Sequence, residues 1–196
     1  MKNLRILGLV FAAIFAAVSA NAQGSRETIT GTILSYGSGF NTRTSTNLFT
    51  LTINGQTSDG DTQTFLNLLQ TGGQDDLLAE IKKEDVGSFS IAGRLARTVN
   101  VVREKQTDGK RHIYVVFERW MQFGELRGGY RSRDYPFTYM EILIDPATGK
   151  GEGTFINAAQ IRWKKDGDTG SFRIEVEDFA TFPSRLLGVR TRTARR

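Results

Sequence analysis

Residues 111–145 read RHIYVVFERWMQFGELRGGYRSRDYPFTYMEILID, and this stretch decides how the rest of the chain is read. It opens with a run that is apolar on both faces, Ile113, Val115 and Phe117 against Tyr114, Val116 and Trp120. Successive strand residues point to opposite sides, so a strand apolar on both is central and covered on both. It closes with residues 137–145, where Met140, Ile142 and Ile144 face inward and Tyr139, Glu141 and Leu143 the other way. Between the two strands lies a segment crowded with aromatic and arginine side chains.

Upstream, Thr107-Asp108-Gly109-Lys110 has the Asp-Gly pair that supplies positive φ in a two-residue hairpin turn. It joins the central strand to residues 98–104, and 88–91 is a shorter strand before that. Residues 27–36 (ETITGTILSY) and 46–53 (TNLFTLTI) are strands by their threonines, isoleucines and period-two alternation. Between 61 and 86 the spacing turns helical. Leu77, Leu78 and Ile81 fall on one stripe, with Asp75 and Asp76 before them and Lys82 and Lys83 after. Gly72-Gly73 separates this helix from a shorter one at 64–69.

Downstream, residues 146–151 turn the chain into a strand at 153–163. A second turn leads to 171–179, where Phe172, Ile174 and Val176 alternate with Arg173, Glu175 and Glu177. FPSRLLGV follows, with Phe182, Leu186 and Leu187 expected to pack down. The chain is therefore mainly β (β-rich α+β). The pattern predicts an antiparallel meander of about seven or eight strands forming a barrel-like sheet or sandwich, with a small helical insertion near 61–86. Hairpin connections favour the barrel.

The ends carry their own signals. Lys2 and Arg5 supply a positive start, residues 4–18 form a nearly uncharged run, and Ala20-Asn21-Ala22 has the small-x-small pattern of a signal-peptidase site. A spanning helix needs about 20 apolar residues, which this run does not reach. Residues 1–22 are read as a cleaved signal peptide, 23–187 as one domain and 188–196 as a basic, frayed tail. An exported, periplasmic or secreted, soluble protein is expected, with no transmembrane segment after cleavage.

The net charge of +5 resides at these ends. Lys2 and Arg5 leave with the signal, and Arg190, Arg192, Arg195 and Arg196 lie in the tail, so the body is slightly acidic. Such a body has no general attraction for nucleic acid, although the tail could touch an anionic surface. With no cysteine, neither disulfides nor a lipid-modified cysteine are possible, and the fold must rest on its core.

Enzyme signatures are sparse. The single histidine, His112, reads as a surface residue at a strand end, and one histidine without cysteine excludes metal sites built on those ligands. No metal and no cofactor are predicted. Asp166-Gly167-Asp168-Thr169-Gly170 with Glu177 faintly echoes a calcium loop, but Ser171 stands where such loops need glycine. The strongest lead is residues 119–137. Trp120, Glu125, Arg127, Tyr130, Arg131 and Tyr135 are the candidate ligand-binding residues, because Trp, Tyr and Arg dominate binding hot spots and stack on sugars and guanidinium groups. The competing reading makes the aromatics core and pairs the arginines with Glu118, Glu125 and Asp134.

The functional expectation is a non-enzymatic binding module whose partner is a small molecule, a glycan or an envelope protein. One alternative is a carboxylate-dependent hydrolase using Glu118, Glu125 or Glu141, one of which would be held protonated. Another is an envelope structural protein with no small ligand.

Overall fold

The computed structural model describes residues 26–37, 43–121, 131–165, 172–180 and 182–193. Its strands are β1 (Glu27–Ser35), β2 (Ser45–Ile53), β3 (Gly87–Ile91), β4 (Arg97–Val99), β5 (Val101–Thr107), β6 (Lys110–Glu118), β7 (Phe137–Asp145), β8 (Lys150–Lys165), β9 (Phe172–Asp178) and β10 (Ser184–Thr193). Two helices, α1 (Asp59–Thr71) and α2 (Gly73–Ile81), are inserted between β2 and β3.

All pairings are antiparallel, in the order β4-β3-β2-β1-β10-β8-β7-β6-β5, with β9 attached to β8 off this path. The two ends of that order, β4 and β5, are separated in the chain only by Asn100. One run of backbone thus supplies both edges, and the sheet bends round into a nearly closed barrel. Asn100 sits at the junction, buried. Its Nδ2 donates to the Glu84 carbonyl (2.9 Å), and its Oδ1 accepts from the Glu118 N–H (3.1 Å). One amide therefore ties the segment leading into β3 to the end of β6, two elements that do not pair.

Alternation fills the barrel. Phe89 of β3 lies at 5.3 Å from Phe117, 5.7 Å from Phe155 and 6.1 Å from Phe49, ring centre to ring centre. Ile113, Val115, Met140, Ile142, Ile144 and Leu186 complete the same dry interior. Gly151 and Gly153 take inward positions on β8. A Cβ there would run into the carbonyl oxygens of Leu143 and Glu141, so only glycine lets β8 lie this close to β7. At one end the inward positions turn polar. Arg111 donates to Glu27 (2.9 and 3.1 Å) and to Glu104 (2.7 and 2.8 Å), joining β1 to β5 and β6 across the barrel mouth. Burial alone would raise the Glu27 pKa, but hydrogen bonds from Arg111 and Thr191 and the Arg111 charge together hold it below 4.5.

Several expectations change in detail. The barrel is built, but with ten described strands, because β4 and β5 are two pieces of one run and β10 is a strand in its own right. It is not a simple meander: β8 is long enough to pair β10 along its first half and β9 along its second. Residues 188–193 do not fray, since Val189 is buried in the core and β10 pairs with β1 as far as Thr193. Helix α1 is the longer of the two and starts at Asp59, where Ser58 accepts the Asp61 N–H (3.1 Å) and donates to its carboxylate (2.6 Å). Phe182 is exposed; Leu186 alone of its expected trio is fully buried. The Asp-Gly hairpin forms as read, with φ of 53° at Asp108 and 72° at Gly109. The Asp166–Gly170 loop and Ser171 lie outside the described residues. No described helix is long and apolar enough to cross a membrane.

Replacing Asn100 by Leu takes their side-chain partner from the part-buried Glu118 N–H and Glu84 carbonyl. The expected loss is about 2–4 kcal/mol of unfolding free energy. A urea midpoint indistinguishable from that of the unmodified protein would show that the junction does not hold the barrel closed.

Candidate functional site

The outer face of β6, β7 and β8 is apolar, as the two-sided reading of residues 113–120 requires. The helices cover it. Phe65 and Leu69 of α1 and Leu77 and Ile81 of α2 pack with Tyr114, Val116, Tyr139, Ile156 and Ile161 into a second core, separate from the barrel interior. Cover is incomplete beneath the helix pair. A cavity of about 80 Å³ lies between α1, α2 and the sheet, walled by Leu66, Leu69, Ile81, Val116, Ile161 and Ile174 among others.

Three side chains that carry polar groups, Thr62, Arg103 and Tyr114, also line it. Thr62 is spent, because its hydroxyl donates to the Ser58 carbonyl (2.7 Å) within the helix. Arg103 is held by the entry to α1: Nη1 donates to the Thr57 carbonyl (2.7 Å) and Nη2 to Asp59 Oδ1 (2.6 Å). Thr57 is in turn sewn to β5, exchanging hydrogen bonds with Val102 through its N–H (2.9 Å) and its Oγ1 (3.1 Å). The guanidinium is therefore fixed. Its Nε is buried and has no hydrogen-bond partner among the described residues.

Register continues the site sideways. Arg103 lies opposite Tyr114, Tyr114 opposite Glu141 and Glu141 opposite Thr154, one row across four strands. Glu141 receives a hydrogen bond from Tyr114, and its Oε1 is 3.7 Å from His112 Nδ1. Burial raises the Glu141 pKa above 4.5, and His112 and Tyr114 only partly offset it. Burial, helped by the same carboxylate, pushes the Tyr114 hydroxyl up to about 12. His112 is accordingly not a plain surface residue: its side chain is 17% exposed, set against a carboxylate. Of the three glutamates considered for hydrolysis, Glu118 pairs with Lys82 (2.7 Å), Glu125 lies outside the described residues, and Glu141 alone is held in a poorly solvated setting.

The aromatic and arginine residues of 119–137 separate. Trp120 lies beyond the end of β6 and is 69% exposed, with the Arg97 guanidinium 4.8 Å from its ring centre. Tyr135 is turned inward, its hydroxyl donating to Glu177 Oε1 (2.7 Å) and its ring meeting Phe179 edge-on. The two do not share one surface. Arg119 is buried and donates to the carbonyls of Tyr135 and Ser132 (2.9 Å each), fixing the connection. Arg131 begins a 3-10 turn, Arg131–Asp134. Glu125, Arg127 and Tyr130 lie outside the described residues. The connection nevertheless touches the cavity's cover: Gln74 of α2 donates to the Asp134 carbonyl (3.0 Å), and Lys82 just after α2 pairs with Glu118.

Sequence reasoning missed Arg103 and Asp59. The available signal was the outward pair Tyr114 and Val116, which required a cover and hence a seam where that cover meets the sheet. No protein-family model, curated protein or solved structure matches this chain.

The raised Glu141 pKa has a sign that can be measured. Above pH 4.5 the unfolded chain gives up this proton before the folded one does, so stability falls as pH rises through the interval up to the folded pKa. Glu141→Gln removes that loss. Urea unfolding between pH 4 and pH 7 is expected to show a flatter profile for E141Q, with no loss of stability at pH 7. An unchanged slope would mean the carboxylate is better solvated than its surroundings indicate.

Proposed function

We propose that this protein is an exported, non-enzymatic binding module that takes a small amphipathic molecule between its helical pair and the outer face of its sheet. The observation that carries the reading is the cavity of about 80 Å³, walled by apolar side chains except for Thr62, Arg103 and Tyr114. Small-molecule sites are concave and mostly apolar, with few polar groups to orient the ligand. The barrel interior is packed with phenylalanine and branched side chains. Glu118 and Asp134, on either side of the connection between β6 and β7, meet the cover through Lys82 and Gln74, and Trp120, just past the Glu118 end of β6, is exposed. Export follows from the charged start, the apolar run and the Ala20-Asn21-Ala22 site.

Titration with n-pentane, followed by methyl NMR, is expected to shift the signals of Leu69, Ile81 and Ile161. A Leu69→Phe variant should remain folded and lose the response, because the ring occupies the space. If both proteins respond alike, or neither responds, the cavity is not the site. Export is read independently from the mass of the protein recovered from its host's envelope fraction. The chain is expected to begin at Gln23, and a chain retaining residues 1–22 would overturn the signal assignment.

A further inference from the structure

We propose that the barrel end carrying Leu95 and Trp120 docks on an anionic phospholipid surface. Those two side chains enter the interface, and Arg94 and Arg97 meet lipid phosphates.

Strand direction places the parts. One barrel end holds the Arg111–Glu27 bridge, the 108–109 turn and the close of β10. At the other end β1 and β6 finish, and β2, β7 and β10 begin. The exposed large hydrophobic side chains among the described residues are Tyr36, Leu48, Leu95, Trp120, Phe179 and Phe182. All six belong to this second end. Tyr36 follows β1, Leu48 lies in the first half of β2, and Leu95 is in the turn between β3 and β4. Trp120 follows β6 and Phe182 precedes β10. Phe179 follows β9, whose last pairing, Asp178 with Ala159, falls level with the first residue of β7. Exposed apolar side chains are ordinarily scattered singly, so their confinement to one end marks a contact surface.

Charge identifies the partner. Leu95 is 86% exposed, with Arg94 just before it and Arg97 two residues after. The Arg97 guanidinium lies over the Trp120 ring. Burial lowers the Arg97 pKa, Glu118 raises it and Arg94 lowers it again, so these three charges are within reach of one another. Glu118 is paired with Lys82 (2.7 Å). Arg94, Arg97 and Lys82 against Glu118 leave this sector positive, on a body that is slightly acidic as a whole. A leucine at a turn tip, a tryptophan and flanking arginines suit a lipid interface. Apolar side chains enter the acyl boundary, tryptophan sits at headgroup level, and arginine is drawn to anionic lipid. A second copy of this chain fits less well, because end-to-end contact would bring two sets of these arginines together.

The test is co-sedimentation of the mature chain, residues 23–196, with two kinds of vesicle: phosphatidylcholine alone, and equal parts phosphatidylcholine and phosphatidylglycerol. Binding is expected to the mixed vesicles only, and to weaken as salt rises. Tryptophan emission should shift to the blue on binding, and the shift should vanish in Trp120→Phe, where Trp163 is the remaining tryptophan. Leu95→Ser should weaken binding about tenfold, and Arg94→Gln about fivefold. Both side chains are exposed, so the variants are expected to fold. Arg190→Gln combined with Arg192→Gln, at the opposite barrel end, should leave binding unchanged. Equal binding to both vesicles, binding to neither, or loss with the Arg190 and Arg192 pair instead of Leu95→Ser overturns the proposal. So does a concentration-dependent dimer that Leu95→Ser abolishes, since this end would then be a contact between copies.

Discussion

The structure depends on a single run of backbone acting as both edges of its sheet. An antiparallel sheet has two open edges unless it closes, and each exposes a ladder of unpaired N–H and carbonyl groups. Residues 97–107 answer this by pairing with β3 before Asn100 and with β6 after it. The bend at the junction interrupts both ladders, and the Asn100 amide replaces what is lost with one donor and one acceptor. Closure there also brings the segment that follows α2 beside the end of β6. The position of the helical insertion is thus a consequence of how the barrel closes.

Closure divides the chain's apolar residues into two cores that hardly mix. Inward positions of β2, β3, β6 and β8 meet as a cluster of four phenylalanines. Outward positions of β6, β7 and β8 are apolar as well and need a second layer. Two helices, the second only nine residues long, cannot tile that face as closely as the barrel tiles its interior. The cavity is the remainder. Its polar wall has the same origin, because the loop that carries the chain from β2 into α1 must be tied to β5, and Arg103 is the residue that ties it.

Electrostatics follow the same division. The inward acid and base groups lie at the barrel mouth, where Arg111 spans Glu27 and Glu104, and that pairing keeps the Glu27 pKa low. The outward acid, Glu141, has no arginine partner among the described residues, and burial prevails over the help it receives from His112 and Tyr114. Two glutamates in one sheet thus shift in opposite directions. What separates them is whether a cation reaches across to meet the carboxylate.

Local pattern was legible because it has a short period. The alternation at 113–117 and 140–144, the Asp-Gly turn at 108–109 and the stripe of Leu77 and Ile81 each need only neighbours in sequence to be read. Together they gave a β-rich barrel with a helical insertion, and the two-sided apolar strand announced a covering layer. The partners of the candidate site were not legible. Arg103 meets Asp59 across 44 residues and Arg111 meets Glu27 across 84, distances over which any carboxylate could have been chosen. Composition likewise picked out Trp120 and Tyr135 as a pair but said nothing of direction, and one points to solvent while the other is buried. Periodicity reports which residues share a face; which faces meet depends on strand order, and strand order is settled only when the two edges of the sheet find one another.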